Sequence, residues 1–146
     1  MEFLKEIRLI ILHHSQRAPD WPEFIKERHI KRGFEDVGYH YLIGNKTKFS
    51  VNGKLYKGRD EKFQGAHAIG FNANSIGICL IGDLDKNPPT QEQLNTLIKF
   101  LKEKIAEHKI PVQNILGHRE LPGVAKTCPG KLVDLNSIRK MVEAEK

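Results

Sequence analysis

The amino-acid sequence predicts an α/β protein in which a central mixed β-sheet is flanked by helices, within a single domain spanning residues 1–146. Strand-like apolar runs alternate along the chain with segments whose apolar residues recur at helical spacing, which is the order typical of an α/β sandwich. A length of 146 residues suits one ordinary domain with its own core. Two strand candidates flanking an Asn-Gly pair indicate that part of the sheet is antiparallel.

The strand predictions depend on short apolar runs bounded by turn residues. Residues 8–13 are nearly all apolar and rich in isoleucine, which indicates a central strand covered on both faces. Asn52 and Gly53 suit a type I′ turn, so the strand candidates before and after them are expected to form a hairpin. The further strand candidates are residues 39–43, 54–59, 76–82 and 114–117.

Three helices are expected from capping residues and periodicity. Asp20, followed by a glutamate three positions later, is expected to cap a helix that ends before Gly33. Thr90 and Gln93 show the capping-box pattern at the start of a second helix, and a last amphipathic helix is expected over residues 134–145. The apolar residues at helical spacing are Leu94, Leu97, Ile98, Leu101 and Ile105 in the second helix, and Leu135, Ile138 and Val142 in the last.

Charge and hydropathy restrict the possible partners. Lysine and arginine total 24 against 18 acidic residues, so the net charge of +6 favours polyanions such as nucleic acid, anionic lipid or bacterial wall polymers. Basic residues are interleaved with acidic ones rather than clustered, so nucleic-acid binding is not expected. The apolar run at residues 9–12 is far shorter than the ~20 residues that cross a bilayer, so no membrane insertion is expected. No signal-peptide pattern is present, which predicts synthesis in the cytoplasm.

Three groups of potential metal ligands lie at predicted strand ends or in predicted loops. They are the pair His13 and His14, then His118, then Cys128. Two imidazoles and one thiolate can hold Zn²⁺ and leave a fourth position for water, as a catalytic site requires. From spacing alone, the alternative that each histidine makes an ordinary hydrogen bond remains open. Cys79 lies in an apolar run and is expected to be a small buried hydrophobe.

Several short motifs, in a fixed order, resemble one known family. The sequence is similar to the zinc-dependent N-acetylmuramoyl-L-alanine amidases, a family that includes phage T7-type lysozyme and the peptidoglycan recognition proteins. The resemblance implies that family's α/β fold and covers about residues 8–132. The motifs are residues 11–15 (ILHHS), 36–41 (DVGYHY), 58–60 (GRD), 65–68 (GAHA), 74–78 (NSIGI), 117–120 (GHRE) and 126–130 (KTCPG).

The resemblance implies a metal centre and two catalytic side chains. His13, His118 and Cys128 match the family's zinc ligands, which implies one Zn²⁺ per chain. His14 matches a position that the family does not use as a ligand. Tyr39 matches a tyrosine near the metal water, and Lys126 matches a lysine beside the site in lytic members. The implied reaction is hydrolysis of the amide between N-acetylmuramic acid and L-alanine, with Lys126 stabilising the oxyanion.

The resemblance also suggests where the substrate lies. His67, Asn72 and Asn74 belong to a segment that resembles the family's substrate-groove wall, where an imidazole and amides can hydrogen-bond sugar and stem peptide. The alternative is that these side chains fix the backbone of their own loop. His29 and His40 are expected to be structural, and His108, at the end of the second helix, is favoured by the helix dipole.

Three alternatives for the function stay open at this point. The implied partner is bacterial peptidoglycan, bound by a monomer that acts on the wall after release as phage lysins do. The first alternative is a recognition module that grips the muropeptide without cutting it, although many such members lack the thiolate ligand. The second is a cytoplasmic amidase that recycles anhydromuropeptides, a group that usually has Asp in place of Cys128. The third, nucleic-acid binding, rests on charge alone.

Overall fold

A five-stranded mixed sheet forms the centre of the computed structural model, which describes residues 1–144. Its strands are β1 (Leu9–His14), β2 (Tyr41–Ile43), β3 (Leu55–Lys57), β4 (Ser75–Leu80) and β5 (Ile115–Gly117), in the order β3-β2-β4-β1-β5. Strand β1 pairs in parallel with β4 and β5, β2 pairs in parallel with β4, and only the β2–β3 pair is antiparallel. The four parallel strands therefore end at one edge of the sheet.

Three α-helices cover the sheet, which confirms the predicted α/β class. They are α1 (Pro22–Lys31), α2 (Gln91–His108) and α3 (Leu135–Ala144), and short 3₁₀ turns occupy Asn72–Asn74, Val112–Asn114 and His118–Glu120. The predicted last residue of the third helix, Glu145, lies outside the described residues. No helix within residues 1–144 combines the length and hydropathy needed to cross a membrane.

The two faces of the sheet carry different cores. Ile10 and Leu12 of β1 belong to the larger cluster, which includes side chains of α2 and α3. Ile25 of α1 and Cys79 of β4 belong to a cluster that does not include those helices, and Cys79 is fully buried as expected. Successive strand residues face opposite sides, so His13 lies on the face opposite Leu12.

Helix α2 begins as its sequence predicts. Thr90 Oγ1 accepts a hydrogen bond from the Gln93 amide at 3.0 Å, and Gln93 Oε1 accepts one from the Thr90 amide at 3.1 Å. The Gln93 side chain is fully buried, and its Nε2 donates to the carbonyls of Ile43 at 3.1 Å and Ile81 at 2.9 Å. The capping box therefore also ties α2 to β2 and to the residue that follows β4.

Two local predictions are wrong. Asp20 does not cap α1, because its buried carboxylate accepts hydrogen bonds from both Nη atoms of Arg28, at 2.9 and 2.7 Å. The N-cap residue is Trp21. A bidentate charged pair is stronger than a single cap bond, so it takes the carboxylate away from the helix start. The turn before β3 is not type I′, because Gly53 (φ +78°) has a positive φ and Asn52 does not, which is the type II pattern.

Several strand ends are also shifted from the predicted bounds. Strand β1 runs from Leu9 to His14 rather than over residues 8–13, and β2 starts at Tyr41 rather than at residue 39. The hairpin itself is confirmed, since β2 and β3 pair antiparallel. Strand β3 covers Leu55–Lys57 and is shorter than the predicted residues 54–59, although backbone bonding continues in register at Gly58, whose amide donates to the His40 carbonyl at 2.8 Å.

The buried histidine of α1 gives a testable pH dependence. His29 is 6% exposed and its Nδ1 accepts a hydrogen bond from the Gly38 amide at 2.8 Å, which confirms the structural role expected for it. Burial, followed by the charges of Arg32 and Arg28, lowers the pKa of His29 to about 4. The folded state therefore binds fewer protons than the unfolded state between about pH 6.5 and pH 4.

We expect the free energy of unfolding to fall as the pH drops through this window, with at most about 3 kcal/mol due to His29. His29→Asn keeps an oxygen near the Gly38 amide but cannot titrate, so the variant should lose less stability over the same range. Urea unfolding from pH 7 to pH 4.5, with a chelator present, measures both proteins. Equal losses in the two proteins would contradict this assignment.

Candidate functional site

The three side chains that match zinc ligands come together at the sheet edge where the parallel strands end. His13 lies near the end of β1, His118 directly follows β5, and Cys128 lies in the loop before α3. His13 Nδ1 is 3.6 Å from Cys128 Sγ, and the ring centroids of His13 and His118 are 4.6 Å apart. One ligand atom from each residue lies within 4.8 Å of the other two.

This cluster suits a Zn²⁺ ion. Ligand atoms around a tetrahedral zinc with bonds of about 2.0–2.3 Å are separated by roughly 3.3–3.8 Å, so small movements close the set around an ion. Nitrogen and thiolate sulfur are ligands that zinc prefers. Among residues 1–144, no fourth His, Cys, Asp or Glu joins the group, which leaves a coordination position for water or substrate. His13 is buried, whereas His118 and Cys128 are partly exposed.

His14 is separated from the cluster by the strand geometry. Its Nδ1 accepts a hydrogen bond from the Leu84 amide at 3.0 Å, which fixes the segment after β4. Adjacent residues of a strand point to opposite faces, so His13 and His14 cannot both reach one ion. Of the pair, only His13 belongs to the cluster.

Burial keeps the three side chains of this cluster uncharged in the absence of a metal. It lowers the pKa of His13 well below its usual value, and the neighbouring imidazoles of His67 and His118 lower it further. Burial followed by the Lys126 charge lowers the pKa of His118. Burial also raises the pKa of the Cys128 thiol to about 11. Neutral imidazoles are ready to coordinate, and a bound cation would stabilise the thiolate that burial disfavours.

Arg119 holds the loop that carries Cys128. Its Nη1 donates to the carbonyls of Thr127 at 3.1 Å and Gly130 at 2.6 Å, and its Nη2 donates to the carbonyl of Val133 at 2.7 Å. The Arg119 amide also donates to the Cys128 carbonyl at 2.7 Å. One guanidinium thus links the His118 segment to the cysteine loop. The sequence singles out Arg119 only as part of the GHRE motif. Its partners are backbone carbonyls, which every residue has, so no sequence pattern indicates this role.

Two carboxylates fix the same region from either side. Glu120 Oε1 accepts a hydrogen bond from the Gly117 amide at 2.9 Å, immediately before His118. Asp85 accepts one from Thr127 Oγ1 at 3.0 Å and one from the Lys131 amide at 2.8 Å. These contacts anchor the chain next to both His118 and Cys128.

The two side chains that match catalytic residues lie beside the cluster. The Tyr39 ring is 5.1 Å from the His13 ring and 5.3 Å from the His29 ring, measured between centroids. Burial raises the pKa of Tyr39 well above its usual value, so the hydroxyl stays protonated. Lys126 is exposed. Its positive charge lowers the pKa values of His13, His118 and Cys128, in each case by less than burial shifts them.

The three residues matched to the substrate groove have different environments. His67 Nδ1 is 2.8 Å from His13 Nε2, and burial lowers the pKa of His67 to about 3. Asn72 Oδ1 accepts hydrogen bonds from the amides of His67 at 3.0 Å and Ala68 at 2.9 Å, so this oxygen fixes its own loop. Asn74 Oδ1 is buried without a hydrogen-bond partner among the described residues. Substrate contact by these residues stays a prediction.

A second group of potential ligands is an ion-pair network. Glu61, Glu107 and His108 each offer a ligand atom within 4.8 Å of the others. Lys104 Nζ lies between the acids, 2.6 Å from Glu61 Oε2 and 2.8 Å from Glu107 Oε2. His108 ends α2 as expected, and its Nε2 is 2.7 Å from Glu61 Oε1. The lysine supplies the positive charge that a cation would otherwise bring.

Comparison with known proteins identifies the class to which this fold and cluster belong. The family model described as N-acetylmuramoyl-L-alanine amidase matches residues 3–131. A peptidoglycan-recognition protein of Drosophila simulans is 30% identical over 143 residues, covering 92% of this chain and 74% of that protein. The endolysin of Escherichia phage T7 is 34% identical over 110 residues, covering 72% of this chain and 66% of the endolysin.

A solved structure supports the same relationship. The endolysin N-acetylmuramoyl-L-alanine amidase LysCS from Clostridium intestinale superposes with a TM-score of 0.87 at 26% identity, covering 97% of this chain and 87% of that chain. The chain therefore belongs to the N-acetylmuramoyl-L-alanine amidase family, and the resemblance seen in its short motifs is confirmed.

Arg119→Lys tests the support of the cysteine loop. A single ammonium cannot replace a planar fork that reaches three carbonyls, and hydrogen bonds to charged groups contribute about 1.5–3 kcal/mol each. We expect the free energy of unfolding to fall by about 2–4 kcal/mol, measured by urea denaturation with a chelator present. Arg8→Lys is the matched control, because Arg8 pairs with Glu6 at 64% exposure of both side chains. A loss of unfolding free energy in Arg119→Lys no larger than that in Arg8→Lys would contradict this role of Arg119.

Proposed function

We propose that this protein is a zinc-dependent N-acetylmuramoyl-L-alanine amidase that cuts the bond between N-acetylmuramic acid and L-alanine in bacterial peptidoglycan. The observation that carries the proposal is the ligand set of His13, His118 and Cys128 within one cluster, in a chain that belongs to the amidase family. The thiolate donor is present and the ligand set leaves a coordination position open, which is the arrangement expected of a catalytic zinc site.

The chain's own residues would share the work of the reaction. A bound Zn²⁺ would lower the pKa of a water and polarise the scissile carbonyl. Lys126 has an exposed positive charge near the ligands, where it can stabilise the oxyanion that develops as the amide is attacked. Tyr39 keeps its proton because its pKa is raised, so we assign it as a hydrogen-bond donor rather than as a general base.

Peptidoglycan is the proposed partner, and the bacterial wall is the proposed place of action. Relatives named for peptidoglycan recognition and for phage lysis support this assignment. The net charge of +6 favours approach to anionic wall polymers, an attraction that added salt should weaken. We propose that a monomer with one zinc ion carries out the reaction as a cell-wall lytic enzyme.

A recognition module is the second candidate. Its support is the similarity to a peptidoglycan-recognition protein over 92% of the chain. Such a module would bind muropeptides without releasing product. The two candidates therefore differ in one measurable quantity, the appearance of new L-alanine amino termini.

The amidase assay separates these candidates. We expect purified protein to release L-alanine amino termini from peptidoglycan, to lose this activity with a zinc chelator, and to regain it when zinc is restored. Metal analysis of the same sample should find about one zinc per chain. Binding to peptidoglycan without release of amino termini would contradict the amidase and support the recognition module.

Single substitutions separate metal binding from chemistry. Cys128→Ser and His118→Ala each remove a ligand, so zinc content and turnover should fall together. Lys126→Ala leaves the ligands intact, so zinc content should persist while kcat falls roughly 10²–10³-fold, as when an oxyanion donor is removed. Lys131→Ala is the matched control, because it changes an exposed lysine in the same loop and leaves the backbone contact with Asp85.

Zinc content and peptidoglycan hydrolysis, measured on the same preparations, give the outcome of these substitutions. Full zinc content with full activity in Cys128→Ser would contradict the ligand assignment. Wild-type kcat in Lys126→Ala would contradict the role of the lysine.

A further inference from the structure

We propose that His67 positions the metal ligand His13: it accepts a hydrogen bond from His13 Nε2 and so keeps the lone pair of His13 Nδ1 directed towards Cys128. This inference rests on the proposed function, because the site that it concerns is the proposed zinc site. It gives His67 a different role from the substrate contact that the family resemblance implies. It follows from a chain of hydrogen bonds that begins at a backbone carbonyl.

The direction of this chain is set at Ser75. Ser75 Oγ is 2.7 Å from the Phe71 carbonyl oxygen, which can only accept, so the hydroxyl donates its one proton there. Ser75 Oγ is also 3.2 Å from His67 Nε2. Since the hydroxyl proton is already used, this second contact requires an N–H on His67 Nε2.

The proton positions on the two imidazoles follow from that step. A neutral His67 with its proton on Nε2 has a lone pair on Nδ1. This Nδ1 lies 2.8 Å from His13 Nε2, a distance at which one of the two nitrogens must donate. His13 Nε2 therefore carries the proton, and His13 Nδ1, 3.6 Å from Cys128 Sγ, is left free to coordinate.

The His67 ring has little freedom to leave this position. A Cβ atom at Gly77 would lie 2.7–2.8 Å from three atoms of the ring, and one at Gly65 would lie 2.5 Å from its Cδ2. Asn72 Oδ1 holds the His67 backbone amide at 3.0 Å. These two glycines and one amide therefore shape a slot for the imidazole beside the cluster.

Both ring nitrogens of His67 are already used by protein partners. Nδ1 faces His13 and Nε2 faces Ser75, so neither is free to bind sugar or peptide. His67 is thus a positioning residue that acts through His13. Partners of this kind fix the tautomer and orientation of a ligating histidine, and their loss typically weakens metal binding 10–100-fold.

Zinc affinity measured by chelator competition tests the assignment. We expect His67→Leu, which lacks the acceptor, to bind zinc about 10–100-fold more weakly than the wild type. His67→Asn should recover most of the affinity, because its amide oxygen lies close to the position of Nδ1. The matched control is His29→Asn, since His29 also accepts a hydrogen bond at Nδ1 but lies outside the cluster, and its zinc affinity should equal that of the wild type.

Histidine tautomers observed by ¹⁵N NMR on the metal-free wild type provide a second test that needs no variant. The expected result is a neutral His67 with its proton on Nε2 and a neutral His13 with its proton on Nε2. A proton on Nδ1 of His67 would overturn the inference. This measurement decides the question if His67→Leu does not fold.

The two proposals can fail separately. Unchanged zinc affinity in His67→Leu, with a raised KM for peptidoglycan fragments, would overturn the positioning role and return His67 to the substrate groove. It would leave the zinc amidase intact. A wild type that binds no zinc would contradict the proposed function and this inference together.

Discussion

The parallel pairing of β1 with β5 is the constraint on which the site depends. Leu12 pairs with Gly117 in this register, so the residues that follow them, His13 and His118, come to lie side by side at the sheet edge. Strand β1 can hold this place because it is a central strand, paired on both sides and buried at every residue after Leu9. A shift of one residue would turn His13 to the opposite face and exchange it with His14.

The third proposed ligand reaches this edge by different means. Cys128 lies outside the sheet, in a loop held by the Arg119 fork and by the Asp85 carboxylate. The site thus joins a rigid pair of histidines to a cysteine that side-chain hydrogen bonds keep in reach. Burial sets the charge state of all three side chains. It lowers the pKa values of both imidazoles, which stay neutral, and raises the pKa of the Cys128 thiol, which would ionise only beside a cation.

The sequence predicts those features whose causes are local. Strand β1 was predicted from an isoleucine-rich run. The start of α2 was predicted from the capping box that Thr90 forms with Gln93, three residues later. The sequence did not predict contacts with partners outside the local pattern. Asp20 pairs with Arg28 instead of capping α1, and the partner of His67 is His13, 54 positions earlier. The family motifs named His13, His118 and Cys128 together, but only the fold brings them into one cluster.

The X-ray absorption spectrum of the zinc-loaded protein tests the central claim most directly, because it reports the atoms around the ion. We predict one sulfur neighbour at about 2.3 Å, two imidazole nitrogens at about 2.0–2.1 Å, and one further light atom in the open position. Any zinc that Cys128→Ser still binds should have no sulfur neighbour. A wild-type spectrum with no sulfur neighbour, or with two, would contradict the ligand set of His13, His118 and Cys128.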